Sequence, residues 1–183
     1  MSPFEERFFE TDDGLTLYCR DYAAPTPAAP TVVCLHGLSR NSRDFQDLAP
    51  VLNQHFRVLV PEQRGRGRSD YDTVMSRYNL MQYVYDTHAM LVAFHCERVS
   101  VIGTSMGGLM AFALNALYPH LIHRVVINDI GPDIAAAGLE RSLAHGMPWD
   151  GCMKALDNAG GYADAMKRAV RTSHEQRIRQ MAK

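Results

Sequence analysis

Along residues 31–129 two hydrophobic patterns alternate. Short unbroken apolar runs, TVVCLHG (31–37), FRVLVPE (56–62), RVSVIG (98–103) and HRVVIND (123–129), are separated by longer segments whose apolar residues recur every three to four positions. The runs predict strands buried on both faces, and the intervening segments predict helices over 41–54, 79–96 and 106–118. In the first helix Phe45, Leu48, Val51 and Leu52 fall at helical spacing, with Pro50 at a kink or boundary. In the second, Leu80, Tyr83, Val84, Thr87, Leu91 and Phe94 share one side. Parallel strands need crossover helices, so the alternation predicts an α/β fold: a mostly parallel sheet with helices on both faces.

Two further patterns frame this unit. ERFFETDDGLTLYCRDY alternates apolar and polar residues around Asp12, Asp13 and Gly14, which predicts an antiparallel hairpin opening the sheet. AAPTPAAP (23–30) reads as a surface connector too short to divide domains. After Pro132 the strand pattern stops, and the rest reads as helix or loop. The expected organisation is therefore a core over residues 1–133 and a helical segment or tail over 134–183.

Composition changes this picture little. With 183 residues, 46% hydrophobic and 21% charged, the chain has the balance of one soluble globular domain able to bury a core. Its net charge of −1 gives no global field to attract nucleic acid or anionic lipid. Cys19, Cys34, Cys96 and Cys152 lack the paired spacing of a zinc or redox motif and read as reduced, mostly buried thiols, so no metal is expected. No apolar stretch approaches the roughly 20 residues that span a bilayer, and the N-terminal stretch lacks an apolar signal region. No membrane partner is expected, and the simplest location is the cytoplasm.

Chemistry enters through three stretches, each after a predicted strand. VIGTSMGGLM (101–110) contains Gly103-Thr104-Ser105-Met106-Gly107, a G-x-S-x-G pattern between a buried strand and a helix. Glycines let such a tight turn close, the serine hydroxyl is lifted to the sheet's C-terminal edge, and the following N–H groups face any developing oxyanion. The alternative is a Gly-rich turn capped by serine. CLHGLSRN places His36 and Gly37 at the same edge, where the Leu38 N–H can complete an oxyanion hole with the Met106 N–H. The alternative there is an ordinary strand-ending glycine beside a hydrogen-bonded histidine. PEQRGRGRSDYD (61–72), with Arg64, Arg66 and Arg68, reads as a structured loop flanking that edge; a single short run in a neutral protein is poor evidence for nucleic-acid binding.

LHGL, PEQRGRGRS and GTSMGG, in this order, resemble the α/β-hydrolase superfamily, and VVINDIGP resembles its sixth strand, over residues from about 6 to 133. The resemblance implies a cofactor-independent hydrolase with Ser105 as nucleophile, Leu38 and Met106 as backbone oxyanion donors, and Gly103 and Gly107 as elbow glycines. Serine at the elbow argues against haloalkane dehalogenases and epoxide hydrolases, relatives that carry aspartate there. The segment after Pro132 resembles the beginning of a helical lid.

The family's order is serine, acid, histidine, with the histidine after the last strand. No strand pattern follows Val126 and Ile127. Of the eight histidines, only His145 and His174 follow a strand's C-terminal end; the alternative for both is an exposed lid or tail position. Asp129 ends the sixth strand at the right edge and fits either a second acid or a loop-fixing carboxylate. The expectation is thus the N-terminal part of a serine hydrolase, poorly active alone, for a small ester or a carbon–carbon bond. A bare sixth-strand edge would favour self-association. The rival readings are a non-catalytic remnant that binds a ligand or partner and, more remotely, nucleic-acid binding through the arginine loop and the basic tail.

Overall fold

The computed structural model describes residues 3–128. Six strands form one sheet: β1 (Glu5–Glu10), β2 (Thr16–Tyr22), β3 (Thr31–Leu35), β4 (Arg57–Pro61), β5 (Val99–Thr104) and β6 (Ile122–Asn128). Their order across the sheet is β1-β2-β4-β3-β5-β6. β1 and β2 pair antiparallel, as do β2 and β4, whereas β3 runs parallel to β4 and β5, and β5 parallel to β6. This is the expected mostly parallel sheet opened by an antiparallel hairpin.

The hairpin turns where Asp12, Asp13 and Gly14 predicted it. The Gly14 N–H donates to the Thr11 carbonyl and the Thr11 N–H to the Leu15 carbonyl. Gly14 has a φ of +82°, which glycine adopts without steric cost.

Alternation along the central strands divides the core in two. Val33, Leu35 and Leu59 face one side, where α2 (Leu80–Ala93) and α3 (Met106–Leu117) cover them with Leu80, Tyr83, Val84, Leu91, Leu109 and Leu114. Val32, Cys34, Val58 and Val60 face the other, against Tyr22, Phe45 and Ala49. α2 carries the predicted stripe intact: Leu80, Tyr83, Val84, Thr87, Leu91 and Phe94 are all buried. Its first turn is capped by the Asn79 side chain, which accepts from the Gln82 N–H at 3.0 Å.

The first predicted helix is much shorter than its pattern. Residues 41–54 form a 3-10 turn, Ser42–Phe45, and a five-residue α1 (Leu48–Leu52) with Pro50 inside its first turn. Phe45 and Ala49 reach the core, while Leu48 and Val51 stay exposed, so the spacing misread two of its four positions. Without the N–H of Pro50, the segment closes as two short turns instead of one continuous helix.

β6 also departs from expectation. It alternates instead of being buried on both faces, and Val126 is 55% exposed at the edge of the described sheet. No helix among the described residues is long and apolar enough to cross a membrane. The described cysteines Cys19, Cys34 and Cys96 are free thiols, the first two buried. Burial pushes the Cys34 thiol up to about 12 and Cys19 well above the ordinary thiol range, so both stay protonated.

Candidate active site

β3 and β5 lie side by side and end at the same sheet edge, with Leu35 opposite Gly103. The chain then turns from β5 into α3 through Ser105, which has φ +52° and ψ −116°. Only one other non-glycine described residue, His95, has positive φ. Such a conformation costs on the order of 1–3 kcal/mol and persists only where the surroundings impose it. Here they are identifiable: the Ser105 N–H donates to the Asn128 carbonyl of β6 at 3.0 Å, and the Ser105 carbonyl accepts from the Gly108 N–H at 2.8 Å.

The elbow glycines are sterically required. A Cβ on Gly103 would collide with the Gly107 carbonyl, and one on Gly107 with the Leu35 carbonyl. The start of α3 therefore rests directly on the backbones of β3 and β5. The serine hydroxyl does not cap this helix: Ser105 sits at the N-cap with no side-chain hydrogen bond to the first turn. Among the described residues its Oγ has no hydrogen-bond partner, which disfavours the reading of Ser105 as a capping residue.

Gly37 stands beside it. A Cβ on Gly37 would lie 3.8 Å from the Ser105 Cβ and 3.8 Å from the Thr104 carbonyl oxygen. The Gly37 carbonyl accepts from His36 Nδ1 at 2.7 Å and from the Arg40 N–H at 3.1 Å. Because the peptide is planar and trans, holding that carbonyl aims the Leu38 N–H the opposite way. Neither the Leu38 nor the Met106 N–H has an acceptor among the described residues. Met106 opens α3, so its N–H is one of the helix's unpaired donors. Two backbone donors, one after Gly37 and one after Ser105, thus have no acceptor among the described residues.

His36 is fully buried, and its hydrogen bonds fix its state. Nε2 accepts from the Gln63 N–H at 3.2 Å, so Nδ1 carries the proton donated to Gly37. Burial pushes the ring's pKa below its ordinary value, against the hydrogen bond to Gly37, and the nearby Arg66 charge adds to the lowering. His36 is therefore a neutral brace between β3 and the end of β4, with neither nitrogen free to serve Ser105 as a base.

The arginine loop holds a feature that the sequence did not reveal. Arg64 has no exposed surface and lies among three aspartates. Its Nε and Nη2 donate to both Asp86 oxygens at 2.7 and 2.6 Å, and Nη1 reaches Asp72 at 2.5 Å and Asp13 at 2.9 Å. Burial alone would disfavour the charge, but the Asp86 and Asp13 carboxylates outweigh it and keep Arg64 protonated. This cage ties the loop after β4 to the hairpin and to α2. Glu62 is buried beside it, accepting from Ser42 Oγ at 2.6 Å and from the Ser42 and Arg68 N–H groups. Of the three loop arginines only Arg68 is exposed.

Asp129, His145 and His174 lie outside the described residues. No described histidine is hydrogen-bonded to Ser105: His36 is taken up by Gly37 and Gln63, and His88 stacks on Tyr118 at 4.0 Å. No cluster of three His, Cys, Asp or Glu that could hold a metal occurs among the described residues.

Comparison with known proteins agrees with this fold. The profile of the alpha/beta hydrolase fold family matches residues 30–159. A 3-hydroxybutyrate-oligomer hydrolase from Cupriavidus necator is 40% identical over 124 residues, covering 67% of this chain and 42% of that protein. A putative carbamate hydrolase, RutD, from Yersinia enterocolitica is 35% identical over 107 residues, covering 58% of this chain and 38% of its own. The crystal structure of an alpha/beta hydrolase from Novosphingobium aromaticivorans superposes with a TM-score of 0.75 at 45% identity, over 79% of this chain and 50% of that one. The chain thus spans half or less of the length of these relatives. A family profile matched over most of the chain, on a sheet whose β3 and β5 deliver a glycine-flanked serine to one edge, assigns the lineage: the chain belongs to the α/β-hydrolase fold family.

Proposed function

We propose that the chain carries the nucleophile and oxyanion hole of a serine hydrolase acting on a small ester. The observation that carries this reading is the Ser105 backbone at φ +52°, held at the strand-to-helix turn with its hydroxyl uncommitted. In the proposed reaction Ser105 Oγ attacks the ester carbonyl carbon, and the Leu38 and Met106 N–H groups hold the resulting oxyanion. The tetrahedral species collapses to an acyl-serine as the alcohol leaves, and water then releases the acid and restores the serine. The Ser105 proton passes to a general base drawn from outside the described residues, and the same base returns it to the leaving alcohol.

Small esters are favoured as the substrate class by the 40% identity to a protein named for 3-hydroxybutyrate oligomers, which are chains of hydroxy-acid esters. Serine at the elbow supports acyl-enzyme chemistry over the aspartyl-ester chemistry of epoxide hydrolases. The free thiols Cys19, Cys34 and Cys96 support a reducing, cytoplasmic setting.

The test is hydrolysis of p-nitrophenyl butyrate by the 183-residue chain and its Ser105→Ala variant. The proposal expects p-nitrophenol release that disappears with Ser105→Ala; equal release by both proteins would overturn it.

A further inference from the structure

Arg66 makes no ion pair among the described residues, although it follows the caged Arg64 by two positions. Its donors go to main chain instead. Nε donates to the Leu38 carbonyl at 2.7 Å and Nη1 to the Arg64 carbonyl at 3.0 Å, while Nη2 reaches Tyr83 Oη at 3.4 Å. The guanidinium lies 5.7 Å from the Tyr83 ring centre and 6.0 Å from that of Tyr78.

The contact with Leu38 completes a pattern. The peptide before Leu38 is fixed through the Gly37 carbonyl by His36 and the Arg40 N–H. The peptide after Leu38 is fixed through its own carbonyl by Arg66. Both torsions of Leu38, the proposed oxyanion donor, are therefore bracketed, one side by a neutral histidine and the other by a cation. Arg66 in turn is anchored by α2 through Tyr83 and by the Arg64 carbonyl, behind which stand Asp13, Asp72 and Asp86. A guanidinium suits this task because its planar fork can grip two carbonyls at once, which an ammonium does less well.

We propose that Arg66 is a positioning residue for the oxyanion hole, holding the Leu38 N–H in place by gripping the Leu38 carbonyl. The inference rests on the reading of Ser105 as nucleophile and Leu38 as oxyanion donor. Arg66 acts through Leu38 and does not touch the reacting atoms. Its effect falls on the rate of the bond-making step and leaves ligand binding largely unchanged, because a misplaced oxyanion donor weakens the transition state more than the ground state.

The experiment is fluorophosphonate labelling of the 183-residue chain over a range of probe concentrations, which separates the maximal labelling rate from the half-saturating concentration. In this reaction Ser105 Oγ bonds to phosphorus, the P–F bond breaks, fluoride leaves, and the serine proton passes to base or solvent. Arg66→Gln should lower the maximal rate by about 10- to 100-fold with the half-saturating concentration within about twofold. Arg66→Met, which fills the same space without a donor, should do the same and serves as the second variant if Gln perturbs folding; melting temperatures are measured for both. Arg66→Lys, which can still donate to one carbonyl, should recover part of the rate. Arg68→Gln, an exposed neighbour paired with Glu6, should label like wild type. Wild-type kinetics in folded Arg66→Met or Arg66→Gln overturn the proposal, as does a loss confined to the half-saturating concentration. Failure of the underlying reading looks different: the wild-type chain takes no label at Ser105, or Ser105→Ala labels equally, and the role of Arg66 falls with it.

Discussion

Arg64 and Asp86 face each other as a buried two-point pair, Nε and Nη2 of the one donating to both oxygens of the other at 2.7 and 2.6 Å. Asp72 and Asp13 complete the cage, so Arg64 serves three carboxylates drawn from the hairpin turn, the loop after β4 and α2, and the exposed Arg77 reaches Asp13 at 3.3 Å and Asp72 at 3.7 Å from outside. Removing Arg64 leaves the buried Asp86 without its two-point partner and the cage with only the exposed Arg77. Arg64→Met should therefore cost about 3–5 kcal/mol, the range for breaking a buried pair from one side. A urea midpoint lowered at unchanged slope would register this; a midpoint unchanged by the substitution would contradict it.

A second stability prediction concerns the elbow. A Cβ on Gly107 meets the Leu35 backbone carbonyl, which no rotamer change can move aside. Gly107→Ala should push α3 off β3, cost at least about 2 kcal/mol and abolish labelling of Ser105. A Gly107→Ala chain that melts and labels like wild type would show that α3 does not rest on β3 as described.

Asp13 and His36 shape the pH dependence of stability with one sign and Asp86 with the other. The Arg64 hydrogen bond holds Asp13 down to about 2, so its contribution is full above its ordinary value of 3.8 and is lost as pH falls through about 2. Asp86 works the other way: burial raises it despite Arg64, so its folded form favours the proton and its contribution diminishes as pH rises past 3.8. His36 acts with the sign of Asp13. Its ring is held below the ordinary 6.5 by burial, so its contribution is present above 6.5 and declines as pH falls below it. Urea midpoints should drop between pH 6.5 and 5 in wild type and less in His36→Leu, and drop again between pH 4 and 2, less in Asp13→Asn. Identical profiles in all three proteins would contradict the assignment.

His36→Leu also tests the brace itself. It orphans the buried Gln63 N–H and removes one of the two bonds on the Gly37 carbonyl. The expected cost is about 1–3 kcal/mol, with slower labelling of Ser105. Calorimetric melting together with labelling rates would check both effects.

What could be read in the sequence follows from where the physical signal is local. β3, β4 and β5 appear as apolar runs, and α2 as a stripe, because burial acts on consecutive or periodically spaced residues. The elbow was legible for the same reason: Gly103, Ser105 and Gly107 answer to one turn. α1 was not, because Phe45 and Ala49 reach the core from two short turns that a single helical spacing cannot represent. The Arg64 cage was invisible, since Asp13, Asp72 and Asp86 lie at sequence separations of 51, 8 and 22 and a charged residue ordinarily reads as solvated. The Arg66 contact with Leu38 likewise spans 28 residues. Asp129, His145 and His174 lie outside the described residues.

The central claim is that Ser105 is a nucleophile held ready by its backbone. Its most direct test is intact-mass analysis of the 183-residue chain after fluorophosphonate treatment, with the adduct mapped by peptide sequencing. The account predicts one adduct per chain, located at Ser105 and absent from Ser105→Ala. An adduct on another residue, or one of equal extent in Ser105→Ala, would contradict it.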